Sequence, residues 1–131
     1  MTWEISTDGT VTRWCSEQLG IGFYSPCQPF GIVENGQIVG AVVFTGWNHH
    51  DVEVAVVNTR RAWPRPFLRR LGVYAFDELK CSRVSIITRS DNARAVRVIK
   101  KFATLEGVKR RGFGACDALH FGLLKEEWRY A

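Results

Sequence analysis

Several short apolar runs, rich in β-branched residues, are separated by polar or turn-forming residues along this chain, which is typical of β-strands. The clearest case is residues 30–44, FGIVENGQIVGAVVF, in which two β-rich runs flank Asn35-Gly36. Because Asn-Gly readily adopts the positive φ values of a tight turn, this stretch predicts a β-hairpin. Further strands are predicted at residues 51–58, 83–89, 106–112 and 118–124.

Other stretches have the apolar spacing of helices. Residues 11–20 predict a short helix that ends at Gly20. Residues 64–80 predict a second helix, since either Pro64 or Pro66 suits a first helical turn. Its expected buried stripe consists of Leu68, Leu71, Ala75 and Leu79.

A third helix is predicted over residues 91–102, with Ser90 or Asp91 as its N-cap. Its apolar positions are Ala95, Val98, Ile99 and Phe102. Strands near both ends of the chain and strand-to-helix units in its middle predict a mixed sheet with helices packed on it. The expected fold is therefore α+β, close to α/β, in a single domain spanning residues 1–131.

Composition narrows the class of protein. A chain of 131 residues that is 46% hydrophobic is long enough to close one core around a sheet. It contains no apolar run long enough to span a membrane, and its first ten residues lack the pattern of a secretory signal. The four cysteines have spacings that fit neither a metal site nor a disulfide framework, so a cytoplasmic protein with reduced thiols and no bound metal is expected.

Positive charge is concentrated in the middle of the chain. Residues 60–111 hold 15 of the 18 lysines and arginines and four acidic residues, a local net charge of +11. The rest of the chain holds three basic and nine acidic residues, a net charge of −6. This asymmetry predicts a surface that faces an anion. The alternative is a solvated, arginine-rich helix face.

The densest part of this region is residues 59–71, TRRAWPRPFLRRL, which contain five arginines and two prolines. They follow a predicted strand and lead into a predicted helix, a place where backbone N–H groups and the helix dipole favour phosphate. Arg60, Arg61 and Arg65 add guanidinium donors. The junction therefore predicts a pyrophosphate site.

The order of these elements resembles that of the GNAT family of acyl-CoA-dependent N-acyltransferases over residues 30–128. The stretch SDNARAVRVIKKFATLEGVKRRGF carries the resemblance most clearly, because Asn92, Ala95 and Glu106-Gly107 match places where the family commonly has these residues. The hairpin and residues 52–76 look like the family's central hairpin and its strand, pyrophosphate loop and helix. The closing DALHFGLLKEEWR resembles phage-encoded members.

The resemblance implies a mostly antiparallel central sheet flanked by helices and the transfer of an acetyl group from acetyl-CoA to an amine. It places the pantetheine arm along the backbone near Val56 and Val57. Glu53 is the best candidate for the general base, and its alternative is a solvated edge residue or an ion-pair partner of the arginines. Asn92 either orients CoA or caps the helix.

Two departures from the family pattern keep other functions open. Residues 59–67 contain no glycine, although glycine normally lets backbone amides approach a phosphate. Ile99 stands where many members have a catalytic tyrosine. The alternatives are a phage-type GNAT-fold protein that binds or modifies DNA through the basic residues 60–111, and a non-catalytic interaction protein. Whether the chain is a monomer or a dimer is open.

Overall fold

The computed structural model of the protein describes residues 2–60 and 62–130. Within these residues, the chain forms a seven-stranded sheet in the order β1-β2-β3-β4-β5-β7-β6. Neighbouring strands run antiparallel except β4 and β5, which are parallel. The strands are β1 (Trp3–Ser6), β2 (Gln28–Glu34), β3 (Gln37–Thr45), β4 (Glu53–Asn58), β5 (Arg83–Arg89), β6 (Thr104–Lys109) and β7 (Ala118–Leu124).

In the described part of the chain, three α-helices pack on this sheet: α1 (Gly9–Leu19), α2 (Arg65–Gly72) and α3 (Ala93–Ile99). A π-helical segment, Val73–Glu78, continues α2, and a 3₁₀ turn occupies Lys125–Glu127. None of the described helices is long and apolar enough to cross a membrane.

The two faces of the sheet are buried by different helices. Along β4, Val54 and Val56 belong to the core cluster that contains the buried side chains of α2 and α3. Ala55 and Val57 belong to the cluster that contains the buried side chains of α1. This division follows from strand geometry, because successive side chains point to opposite faces. Both faces of β4 are therefore covered, and its sequence is almost continuously apolar.

Several sequence predictions are confirmed by this architecture. The fold is α+β with a mostly antiparallel sheet flanked by helices. Asn35 and Gly36 form the turn between β2 and β3 with φ values of 52° and 77°. Gly20 ends α1 in the left-handed conformation, with φ of 72°, and its N–H donates to the Ser16 carbonyl. These features depend on residues close together in the sequence.

Other predictions were wrong in detail. The helix expected over residues 91–102 is confined to Ala93–Ile99, and its N-cap is Asn92 rather than Ser90 or Asp91. The helix expected over residues 64–80 changes its hydrogen-bonding pattern after Gly72, so that the Leu79 N–H donates to the Tyr74 carbonyl, five residues earlier. Strand β1 was missed because four partly exposed residues show no long alternation.

Candidate functional site

The central feature of the site is the place where β4 and β5 separate. The described residues of the two strands form three pairs, of which the last is Ala55 with Ile87. β4 then continues to Asn58, and β5 continues to Arg89. An opening therefore forms between the carboxyl ends of two neighbouring parallel strands, where α/β proteins commonly bind ligands.

The backbone of Val56 faces this opening. Hydrogen-bonding groups alternate between the two edges of a strand, and the Ser85 N–H donates to the Val52 carbonyl at 3.0 Å, on the β5 side of the chain. On the other side, the Thr59 N–H donates to the Val39 carbonyl of β3 at 3.0 Å. Residues 54, 56 and 58 therefore present their backbone groups towards β5, and Val57 presents its own towards β3. Of the two residues predicted to contact a pantetheine arm, the geometry suits Val56 and not Val57.

Thr88 bridges the start of the opening. Its hydroxyl donates to the Val56 carbonyl at 2.8 Å, and the residue is fully buried. A buried carbonyl that lies beyond the last strand pair needs another donor, and the threonine hydroxyl supplies it. Thr88 was not singled out in the sequence because its partner lies 32 residues away.

A cavity of about 460 Å³ lies beyond this bridge, at the carboxyl ends of β4 and β5. Asn92 lines it and caps α3, since its Oδ1 accepts from the Ala95 N–H at 3.0 Å. The capping interpretation of Asn92 is therefore confirmed. The remaining lining residues are Asn58, Thr59, Arg89, Asp91, Ala93 and Arg94.

Arg89 and Arg94 also line this cavity, and neither was predicted from the sequence as a binding residue. Arg94 donates from Nη1 to the Thr59 carbonyl at 2.6 Å. Arg89 binds Asp91 through two hydrogen bonds of 2.9 Å, and this pairing lowers the pKa of the Asp91 carboxyl below its ordinary value. Their positions at the end of a strand and the start of a helix were visible in the sequence, but the approach of Arg94 to Thr59 depends on the fold.

The predicted arginine cluster is oriented differently. Arg60 forms an ion pair with Glu34 of β2, with 3.2 Å between Nε and Oε1, while its Nη1 is buried without a hydrogen-bond partner among the described residues. Arg65 is exposed, and its Cζ lies 5.5 Å from the ring centre of Tyr130. Neither side chain lines the cavity, and Arg61 lies outside the described residues.

Glu53 lies at the other end of β4. It is exposed and lines a second cavity, of about 720 Å³, which also reaches Ala55 and Ile87, the last pair before the strands separate. Glu53 and Ala55 lie on the same face of the strand because they are two residues apart. No ion pair involves Glu53 within residues 2–60 and 62–130, so the structure favours an accessible carboxylate over a partner of the arginines.

Tyr74 lines the same cavity. Its ring packs against Phe30 and Phe44, with ring centres 5.3 and 4.9 Å away, and burial raises the pKa of its hydroxyl, so the group stays protonated near neutral pH. Ile99, which stands where the family often has tyrosine, is buried in the core. Its position therefore holds no proton donor. Tyr24 and Tyr74 both line the cavity with Glu53, and Tyr74 is the one packed into the core, whereas Tyr24 is 91% exposed.

His49 and His50 are adjacent in the loop after β3. The His49 ring lies 4.2 Å from the Trp47 ring, and the His50 carbonyl accepts from Ser82 and Arg83 N–H groups. Within the described ranges, no group of three or more histidine, cysteine, aspartate or glutamate residues is arranged to hold a metal ion. The site must therefore be interpreted through its strand opening, its arginines and its carboxylate.

No family model and no curated protein sequence matches this chain. Solved structures do match it. A mutant form of the spermidine/spermine N-acetyltransferase SpeG from Vibrio cholerae superposes with a TM-score of 0.67 at 14% identity, over 97% of each chain. A dodecameric structure of the Vibrio cholerae spermidine N-acetyltransferase has a TM-score of 0.68 at 12% identity, over 96% of this chain and 95% of that one.

A third structure, described as a "Probable acetyltransferase", has a TM-score of 0.62 at 23% identity and covers 78% of this chain and 63% of its own. At these identities the likeness concerns the fold. The fold of this chain is that of the GNAT N-acetyltransferases.

Proposed function

We propose that the protein is an N-acetyltransferase that transfers an acetyl group from acetyl-CoA to an amine, and that residues 1–131 act as one catalytic domain. The observation that carries the proposal is the separation of β4 and β5 after Ala55 and Ile87. An accessible carboxylate lies on one side of this point, and an arginine-lined cavity lies on the other. The likeness to N-acetyltransferase structures supports the same function.

The open strand edge suits the acyl donor. The pantetheine arm of CoA carries amide groups, and the Val56 carbonyl lies just beyond the last strand pair and points towards the opening. The carbonyl already has a donor in the Thr88 hydroxyl, and its second lone pair can accept an amide N–H of the ligand. Binding then leaves both the Val56 carbonyl and the Thr88 hydroxyl paired.

The phosphates are assigned to the arginine-lined cavity. Arg94 and Arg89 present guanidinium groups there, and such groups bind phosphate oxygens through charge-assisted hydrogen bonds. In this proposal, arginine side chains take over the role that glycine amides have in the family's usual loop. The assignment of Arg60, Arg61 and Arg65 to phosphate stays a prediction.

The reaction requires a neutral amine. Its nitrogen attacks the thioester carbonyl carbon, a C–N bond forms, the C–S bond breaks, and the electron pair leaves with the CoA sulfur. The Glu53 carboxylate accepts the proton that the nitrogen loses. The Tyr74 hydroxyl lies in the same cavity and can donate a proton to the departing thiolate. Positioning of two substrates at the strand opening supplies much of the remaining acceleration.

The finer sequence predictions are part of this proposal. A resemblance to phage-encoded proteins and a cytoplasmic location are proposed from the sequence alone. Binding to nucleic acid receives no support from the structural neighbours. Several arginines of the basic middle region are also paired with acidic residues, as in Arg70 with Glu78 and Arg83 with Glu106. An amine acceptor is therefore preferred to a DNA surface.

The experiment combines calorimetry with a thiol-release assay. Acetyl-CoA should bind the purified protein, and an amine should stimulate CoA release. Glu53→Gln should lower kcat by about 10²- to 10⁴-fold, the usual contribution of a general base, while acetyl-CoA affinity is unchanged. Glu4→Gln is the matched control, because Glu4 is an exposed carboxylate on β1 at the far edge of the sheet. Absence of acetyl-CoA binding would refute the proposal.

A further inference from the structure

The cavity that contains Glu53 has an unusual distribution of charge. Among the described residues that line its volume of about 720 Å³, Glu53 is the one with a charged side chain. Asp51, two residues earlier, is bound to Arg83 and Ser85 and does not line the cavity. A ligand in this cavity therefore meets one negative charge and no positive charge.

Much of the remaining lining is aromatic. Five aromatic residues line the cavity. Phe23 and Tyr24 come from the loop before β2, Phe44 from β3, Trp47 from the turn after β3, and Tyr74 from the π-helical segment. Aromatic faces attract cations electrostatically, most strongly in tryptophan. The cavity thus combines one carboxylate with several surfaces suited to a cationic, largely apolar molecule.

Trp47 is held in place at this cavity. Its indole Nε1 donates to the Leu79 carbonyl at 3.2 Å, and the His49 ring packs against it at an interplanar angle of 53°. It nevertheless remains 47% exposed. Tyr24, from the loop before β2, is 91% exposed and lines the same cavity. The two side chains therefore add exposed aromatic surface to one cavity, and contiguous exposed apolar surface marks ligand-binding grooves.

We infer that the acceptor is a primary amine with a single positive charge on an aromatic or apolar body, such as an arylalkylamine, and that Trp47 determines this specificity. The inference rests on the proposed acetyl transfer. A polyamine would bring a second ammonium group into a lining with no second carboxylate to pair it. An amino acid would bring a carboxylate towards Glu53 with no cation to pair it.

The test compares three small amines that differ in charge. Phenethylamine has an aromatic body and one ammonium group, putrescine has two ammonium groups, and free phenylalanine has the aromatic body with an added carboxylate. The value of kcat/KM for phenethylamine should exceed those for the other two by at least about tenfold. Higher values for putrescine or phenylalanine would overturn the inference and leave the proposed acetyl transfer intact.

Variants test the role of the aromatic wall. Trp47→Ala should raise KM for phenethylamine about tenfold with kcat nearly unchanged, and Trp47→Phe should restore most of the loss. Leu105→Ala, on an exposed apolar residue of β6, is the control and should change neither constant. An equal loss in Trp47→Ala and Trp47→Phe, or a change confined to kcat, would contradict the assignment.

A second pair of variants should alter the specificity. Tyr24→Glu adds a carboxylate at the exposed loop and should raise kcat/KM for putrescine about fivefold, whereas Tyr24→Gln, of similar size and without charge, should not. If Tyr24→Glu does not raise kcat/KM for putrescine, the inference that the single carboxylate limits the acceptor to one ammonium group is wrong.

Binding without acetyl-CoA separates this inference from the proposed function. In NMR spectra, addition of phenethylamine should shift the indole N–H resonance of Trp47. This resonance is assigned by its absence from the spectrum of Trp47→Phe. A shift without acetylation would support the amine site and refute the transferase proposal. No shift in the wild-type protein would refute the amine site itself.

Discussion

The hydroxyl of Thr88 connects the stability of the fold to the proposed binding of acetyl-CoA. In Thr88→Val, the side chain keeps nearly the same shape and loses its hydrogen bond to the Val56 carbonyl, which is 2.8 Å long and fully buried. A buried carbonyl left without a donor costs about 1–3 kcal/mol. The variant should therefore unfold about 4 °C lower for each kcal/mol lost.

Saturating acetyl-CoA should reverse part of this loss. If a pantetheine amide donates to the Val56 carbonyl, the carbonyl regains a partner in the bound protein, and the cost of the substitution then falls mainly on the free protein. The stabilisation by acetyl-CoA should thus be about 1 kcal/mol greater in the variant than in the wild type, and the affinity about fivefold higher. Differential scanning calorimetry and titration calorimetry measure the two quantities.

Ser82→Ala is the matched control for this prediction. The Ser82 hydroxyl also donates to a backbone carbonyl, that of His50 at 3.3 Å, but the bond is exposed and distant from the strand opening. Its loss should cost little and should leave the effect of acetyl-CoA unchanged. Equal stabilisation of the wild type and Thr88→Val by acetyl-CoA, or weaker binding by the variant, would refute the assignment of the Val56 carbonyl to the ligand.

Two further predictions concern the arginine-lined cavity. Arg94→Ala should weaken acetyl-CoA binding about tenfold in titration calorimetry. Arg97→Ala should not, because Arg97 is an exposed arginine of the same helix that does not line the cavity. Equal effects of the two substitutions would contradict a specific phosphate site. The hydrogen bonds from Arg89 lower the pKa of the Asp91 carboxyl in the folded protein. The pair therefore stabilises the folded chain at pH values above the unfolded-state pKa of about 4. This stabilisation is lost as the pH falls through the folded-state pKa of Asp91, which is lower. Asp91→Asn should accordingly lower the urea midpoint slightly at pH 7, and the difference from wild type should shrink as the pH falls below the unfolded-state pKa of about 4. A difference that persists undiminished in acid would show that the carboxylate charge is not responsible.

Local sequence features predicted most of the secondary structure. The turn at Asn35-Gly36 and the end of α1 at Gly20 both depend on positive φ values that these residues adopt at low cost. The β-rich run at residues 51–58 predicted the strand that the structure has at Glu53–Asn58. Such features need only a few neighbouring residues, so they can be inferred before the fold is known.

The candidate site was predictable only in part. The position of Glu53 on the central strand came from the sequence, but its cavity is formed by the distant residues that line it, from Ile21 to Ile87. Arg60 was expected to meet phosphate, and its ion-pair partner is Glu34, on a strand two places away in the sheet. A charge pattern shows that arginines are concentrated, but it does not show which acidic residues the fold brings to them.

The strand opening itself is a tertiary feature. Nothing in the sequence of β4 or β5 indicates that their pairing stops after Ala55 and Ile87. The separation appears only in the register of the two strands, where a threonine hydroxyl, from Thr88, bonds the Val56 carbonyl beyond the last pair. The sequence by itself determined the hairpin, the end of α1 at Gly20 and the existence of the central strand, because those follow from local backbone preferences and β-rich composition. The tertiary structure alone decided which backbone carbonyl, carboxylate and arginines lie around the strand opening, because the contacts there join residues that are 26 to 70 positions apart.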